Sequence, residues 1–172
     1  MSFLGRLLGT QPDPKDALRP LWHRTVEIAR EPQWYAKGGV ADTLSGRFDA
    51  VALVTALVML RLHGNPDLKA PAARLTELFV EDMDGQMRQS GVGDLMVGKR
   101  MGKVMQALAG RIEALRQALA KTDDTDLVAA IERNVTMTEA GSPAAVAAEV
   151  RVLAAVLAAT PADDLLAGRI ER

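Results

Sequence analysis

The sequence predicts an all-α, single-domain helical bundle with a central apolar helix, and three observations carry that prediction. Val97, Met101, Val104, Leu108, Ile112, Leu115 and Leu119 recur every three or four residues, an amphipathic stripe along one long helix. From Arg47 to His63 the helical wheel is apolar on every side, yet its longest charge-free run, Ala50 to Leu60, is only 11 residues. That run makes about 16 Å of helix against a hydrocarbon core of about 30 Å, so neighbouring helices must cover it and no membrane span is expected. No stretch alternates apolar and polar residues with period two, so no sheet is expected.

The chain has 172 residues, 48% of them apolar and 25% charged, as expected of one domain with a sizeable core. A net charge of -1 offers no pull toward phosphate backbones, which argues against nucleic-acid binding. There is no cysteine, so disulfides, thiolate nucleophiles and cysteine zinc sites are excluded, and a reducing compartment fits best. His23 and His63 are the two histidines and stand in no HxxxH or HExxH spacing, so a transition-metal site is not expected. Each is best read as a polar cap on the core. The charge is uneven: residues 1–121 hold 17 basic and 13 acidic side chains, residues 122–172 hold 4 and 9. These ranges also mark the expected organisation, an amphipathic segment over 1–13, a helical domain over 14–121 and Ala-rich helices over 122–172 packed on the same domain.

At the start, Met1 to Gly9 lacks the apolar core and cleavage site of a secretory signal. Phe3, Leu4, Leu7 and Leu8 form one apolar helical edge beside Arg6, suited to a membrane surface or to packing on the domain. Asp16 is the expected cap of a first helix with Pro20 in its opening turn, running to Pro32. Arg30 to Gly46, rich in glycine, is expected to be a long ordered loop carrying Trp34 and Tyr35, which either anchor a partner or plug the core. Gly64, Asn65 and Pro66 end the apolar helix; Ala72, Leu75, Leu78, Phe79, Met83 and Met87 mark the next, which Gly91 and Gly93 break. After the striped helix, three shorter ones are expected near Asp126–Val135, Pro143–Ala159 and Pro161–Glu171, opening on Asp, Ser-Pro and Thr-Pro signals.

Little of this carries catalytic chemistry. Gly93, Gly98 and Lys99 match part of a phosphate-binding loop, but Arg100 stands where a Ser or Thr would hold magnesium, and no strand precedes it. Glu81, Asp82 and Asp84 are close together but read as a solvated face or an acidic rim for a partner. Lys99, Arg100 and Lys103 form a basic patch opposite the apolar stripe, directly after the glycine break, and Gly98 and Gly102 there admit close approach of another backbone. No Ser, His and Asp arrangement supports nucleophilic catalysis. The residues by themselves thus point to a protein-binding helical domain; a helical adaptor at the membrane surface fits them, as does a small-molecule carrier with an apolar pocket.

Three stretches nevertheless resemble the ubiquinol-cytochrome c chaperones. These are DTLSGRFDAVALVTALVMLRL from Asp42 to Leu62 with the aromatic-and-glycine loop before it, LFVEDMDGQMRQSGVGDLMVGKRMGKVMQAL from Leu78 to Leu108, and AGRIEALRQAL from Ala109 to Leu119. The resemblance covers Trp22 to Leu119, and Met83 to Met101 is its most specific part. Leu108 and Ala109 depart from the aromatic residues the family carries before this Gly-Arg. The resemblance implies a non-enzymatic chaperone without cofactor that binds newly made cytochrome b and assists assembly of the respiratory cytochrome bc complex. It also implies a possible small partner protein and contact with the ribosome. The chain looks like the bacterial version, peripheral at the cytoplasmic face of the inner membrane. The polar members of the matching motif, Asp84, Arg88, Asp94, Lys99 and Arg100, are then the expected partner surface, with Lys103, Trp34 and Tyr35 beside them. Phe3, Leu4, Leu7 and Leu8 would be the membrane foot.

Overall fold

A computed structural model describes residues 13–89 and 94–172, the side chains of residues 94–100 excepted. Among these residues there are seven α-helices and no strand: α1 Arg19–Ala29, α2 Leu44–His63, α3 Lys69–Gln89, α4 Asp94–Leu119, α5 Thr125–Asn134, α6 Pro143–Ala159 and α7 Ala162–Leu166. The one ladder-like contact is an isolated bridge between Val40 and Met137. The expected edge of Phe3, Leu4, Leu7 and Leu8 lies outside the described residues.

The first helix does not use Asp16 as its cap. Asp16–Leu18 form a short 3₁₀ turn that feeds into α1, and the Asp16 carboxylate instead accepts from Arg19 Nε at 2.7 Å. Pro20 sits in the opening turn, where its missing N–H costs nothing. The segment expected to be a loop after Arg30 contains a π-helical turn, Gln33–Lys37. Burial of Trp34 wound this turn: its indole N–H donates to the Ile28 carbonyl at 2.7 Å, tying the turn back to the end of α1.

The next helix begins at Leu44, three residues before Arg47, because the Thr43 hydroxyl caps it by accepting from Gly46 N–H at 3.2 Å. Gly46 is required there. A Cβ on it would lie 1.9 Å from the Ala41 carbonyl oxygen, a backbone atom that cannot move aside cheaply. Gly46→Ala is therefore expected to cost about 1–3 kcal/mol, as overpacked positions do, read as a lower urea midpoint with an unchanged slope. An unchanged midpoint would show that the α2 start gives way freely.

Every residue from Ala50 to Met59 of α2 is buried, and the helix packs against α1, α3, α4 and α6. Its far end is bound to α6: Arg61 donates to the carbonyls of Leu157 at 2.9 Å and Thr160 at 3.1 Å, acceptors at the end of that helix. From the striped helix, Leu108, Ile112 and Leu115 are buried and Met101, Val104 and Leu119 pack partly against the core. Asp94 to Lys99 are helical, which leaves no phosphate loop after Gly93. Ser142 caps α6 by accepting from Ala145 N–H, as its Ser-Pro signal announces. The last helix stops at Leu166, well before Glu171, because the chain turns at Gly168 with φ 72°.

One buried polar cluster ties distant parts together. Arg111 of α4 donates to Asp49 of α2 at 2.5 Å and to the Asn134 carbonyl at 2.7 Å. The other Asp49 oxygen accepts from the Thr136 N–H at 3.0 Å and hydroxyl at 2.7 Å. The pair is nearly desolvated, with side chains 10% and 14% exposed.

Candidate functional site, a cleft between three helices

A cavity of about 1130 Å³ opens between α1, the start of α2 and the second half of α3. Its apolar lining comes from Trp22 and Val26 of α1, Leu44, Phe48 and Val51 of α2, and Leu78 and Met83 of α3. The rings of Trp22 and buried Phe79 pack in a T-shaped pair with centroids 6.1 Å apart, which fixes the spacing of α1 and α3 beneath the cleft. Among the described residues Leu44 is 70% exposed, a large apolar side chain at the mouth. A second hollow of about 420 Å³ shares Leu44, Phe48, Met83 and Gln86 and reaches Asp49 and Met87. The two hollows adjoin at the α2–α3 junction, where they share these side chains.

Charge lines the rim and not the floor. Arg47 pairs with Asp42 at 2.6 Å, and Lys15 bonds Glu81 at 3.0 Å. The Arg47 guanidinium holds the Asp42 carboxyl below its ordinary range, and the Glu81 carboxylate raises the Lys15 ammonium. Tyr35 closes one side, its hydroxyl donating to the Ala29 carbonyl at 3.0 Å. Burial raises the Tyr35 phenol above its ordinary 10.0, with the Asp42 charge adding to the effect. The folded chain thus holds this proton to higher pH than the unfolded chain. The matching stability is complete below the ordinary tyrosine value and is lost as pH climbs through the folded one.

An apolar floor with a rim of both signs can seat an amphipathic polypeptide segment: apolar side chains enter the cleft while rim arginines and carboxylates meet polar groups along its edges. Among the described residues it sets no nucleophile beside a base. His23 lines the cleft at an exposed position, and His63 is exposed at the end of α2.

The residues singled out in the sequence are dispersed. Trp34 is not a partner anchor: at 1% exposure it belongs to the core and presents no ring surface to a partner. Tyr35, next to it, lines the cleft. Asp84 and Arg88 pair on α3 at 2.7 Å but do not line the cleft, although Asp82, Gly85, Gln86 and Gln89 of the same helix do. Asp82 accepts from Gln86 Nε2 at 3.0 Å. Lys103 is exposed on α4, away from the cleft; Asp94, Lys99 and Arg100 lie on the same helix, their side chains outside the described residues. Sequence reasoning missed Trp22, Val26, Leu44, Phe48 and Arg47. The available signal was Leu44, an apolar residue directly after a capping threonine.

The family profile described as ubiquinol-cytochrome C chaperone matches residues 36–172. The match takes in the α2 and α3 walls of the cleft and leaves α1 and Tyr35 before it. Among solved structures, the crystal structure of the Cbp3 homolog from Brucella abortus is similar, with 30% sequence identity and a TM-score of 0.80. That likeness covers 98% of this chain and 95% of the Brucella chain. No curated protein matches the chain.

Proposed function

Since the chain belongs to the ubiquinol-cytochrome C chaperone family, we propose that it is a non-enzymatic assembly factor that binds newly synthesised cytochrome b and seats one of its segments in the α1–α2–α3 cleft. The observation that carries this reading is the exposed Leu44 at the mouth of a cleft that sets Trp22, Phe48 and Met83 beside paired charges. A client whose segments are bound for a bilayer presents apolar helices before it is assembled, and such a cleft shields them without chemistry.

Among the described residues no helix is long and apolar enough to cross a membrane. The family's role in assembling a membrane complex supports a peripheral place of work, which we propose to be the cytoplasmic face of the inner membrane. Phe3, Leu4, Leu7 and Leu8 supply the foot, and the polar motif Asp84, Arg88, Asp94, Lys99, Arg100 and Lys103 forms a second contact for the client or for a small partner protein near the ribosome.

The test has two arms. Deleting the gene is expected to lower cytochrome b selectively, read by immunoblot and by reduced-minus-oxidised absorbance of membranes. Normal cytochrome b would overturn the client assignment and favour an adaptor. In the second arm, purified protein captures freshly translated, radiolabelled cytochrome b. Leu44→Asp is expected to lower capture about tenfold while moving stability by no more than about 0.5 kcal/mol, because it alters an exposed apolar anchor. Equal capture would remove the cleft from the site.

A further inference from the structure

Helix α1, one wall of the cleft, is held from behind as well. Arg19, Trp22, Val26 and Arg30 face the cleft, whereas Pro20, Arg24 and the following Glu31 meet residues 168–172. Gly168 brings that segment onto α1. Its φ is 72°, and a Cβ there would stand 2.6 Å from the Pro20 carbonyl oxygen.

From Gly168 the chain runs along α1. Ile170 is buried, and its carbonyl accepts two bonds from Arg24, from Nε at 3.1 Å and Nη2 at 3.0 Å. The Arg172 side chain is 7% exposed and divides its guanidinium between Glu31 at 2.9 Å and Glu149 of α6 at 2.6 Å. It lies 5.0 Å over the Trp34 ring, so it clamps the π-helical turn that carries Tyr35. By contrast, Leu21, Thr25 and Ile28 hold α1 to the core through fully buried contacts.

We propose that residues 168–172 are a strap that sets the position of the α1–Tyr35 wall, and that release of the strap is the motion that widens the cleft. Its base is bonded to α7 through Arg169 and Asp164. Beyond that, the four bonds of Arg24 and Arg172 and the Ile170 side chain fasten the strap to α1, Glu31 and α6, a fastening that opens locally before the apolar core does. Once it is free, α1 and the turn rock about Leu21 and Ile28 without leaving α2. The purpose of that motion rests on the cleft being the working surface; the strap itself is tested without a client.

The experiment compares the full chain with Arg172→Ala, with Arg24→Ala/Arg172→Ala and, should the pair fail to fold, with Ile170→Ala. Residue-resolved amide exchange is measured together with the spectrophotometric titration of Tyr35, the single tyrosine of the chain. Amides between residues 22 and 40 are expected to exchange about tenfold faster or more, while those in the middle of α2 and α6 keep their rates. The Tyr35 midpoint should fall toward the ordinary value as the wall loosens, and Arg172→Lys, which keeps charge but loses the fork, should fall between. Unchanged exchange and titration would overturn the strap. So would equal acceleration throughout α1, α2 and α6, the signature of a general stabiliser. Neither outcome bears on client capture, which Leu44→Asp reports separately.

Discussion

Asp49→Ala is expected to destabilise the protein by about 3–5 kcal/mol, because it strands a buried arginine. Arg111 is 10% exposed, and its guanidinium bonds Asp49 and the Asn134 carbonyl. Without Asp49 that charge stays away from water with one carbonyl for company, and Thr136 loses the acceptor of both its N–H and its hydroxyl. The loss falls on three elements together, since Asp49 is in α2, Arg111 in α4 and Thr136 beyond α5. Urea unfolding is the measurement, and a cost below about 1 kcal/mol would show that water reaches the pair in solution. The double variant Asp49→Leu/Arg111→Met is expected to regain most of the loss, because apolar replacements of a buried pair are often neutral or better. Asp49 also lines the smaller hollow, so the clamp that holds α2 and α4 together forms one end of the candidate site.

Trp34→Ala should cost a similar amount, about 3–5 kcal/mol, by opening a cavity where the largest fully buried side chain stands. The substitution also frees the Ile28 carbonyl from its indole donor and takes the ring from under Arg172. Trp34→Phe, which keeps most of the volume but not the N–H, is expected to lose about 1–2 kcal/mol. The two variants separate packing from hydrogen bonding, and both are measured by denaturant unfolding. With the fold intact, Trp34→Phe should capture client as the parent does, since its ring is covered. A Trp34→Phe protein that is stable yet fails to capture would return Trp34 to the partner surface.

These two residues show where reading a sequence succeeds and stops. Trp34 and Tyr35 are neighbours in a glycine-rich segment, and composition supports both fates for each of them equally. Across the π-helical turn the two part: the indole lies in the core and the phenol on the cleft wall. No local rule foretells the turn, because burial of Trp34 against Ile28 wound it. Asp16 is a similar case. As a capping residue before Pro20 it was a reasonable helix start, but the 3₁₀ turn took the chain into α1 and its carboxylate went to Arg19.

The site was harder to read than the fold for the same reason. Lys99, Arg100 and Lys103 cluster in the sequence because they are close along one helix, and that proximity is all a sequence shows directly. The cleft draws on Trp22, Tyr35, Leu44, Phe48 and Met83, which are separated along the chain and share no motif. The Arg111–Asp49 pair spans 62 positions and the Asp49–Thr136 bonds span 87.

Legible from residue order alone were the all-helical class, the stripe of α4, the Ser-Pro start of α6 and the family resemblance. All of these rest on contacts between residues three or four apart, or on a pattern preserved in order along the chain. Which aromatic is core and which is surface, which carboxylate is buried with an arginine, and where a cleft stays open follow from the assembled fold. Those outcomes depend on which helix faces meet, and that is settled by packing the whole set of helices at once.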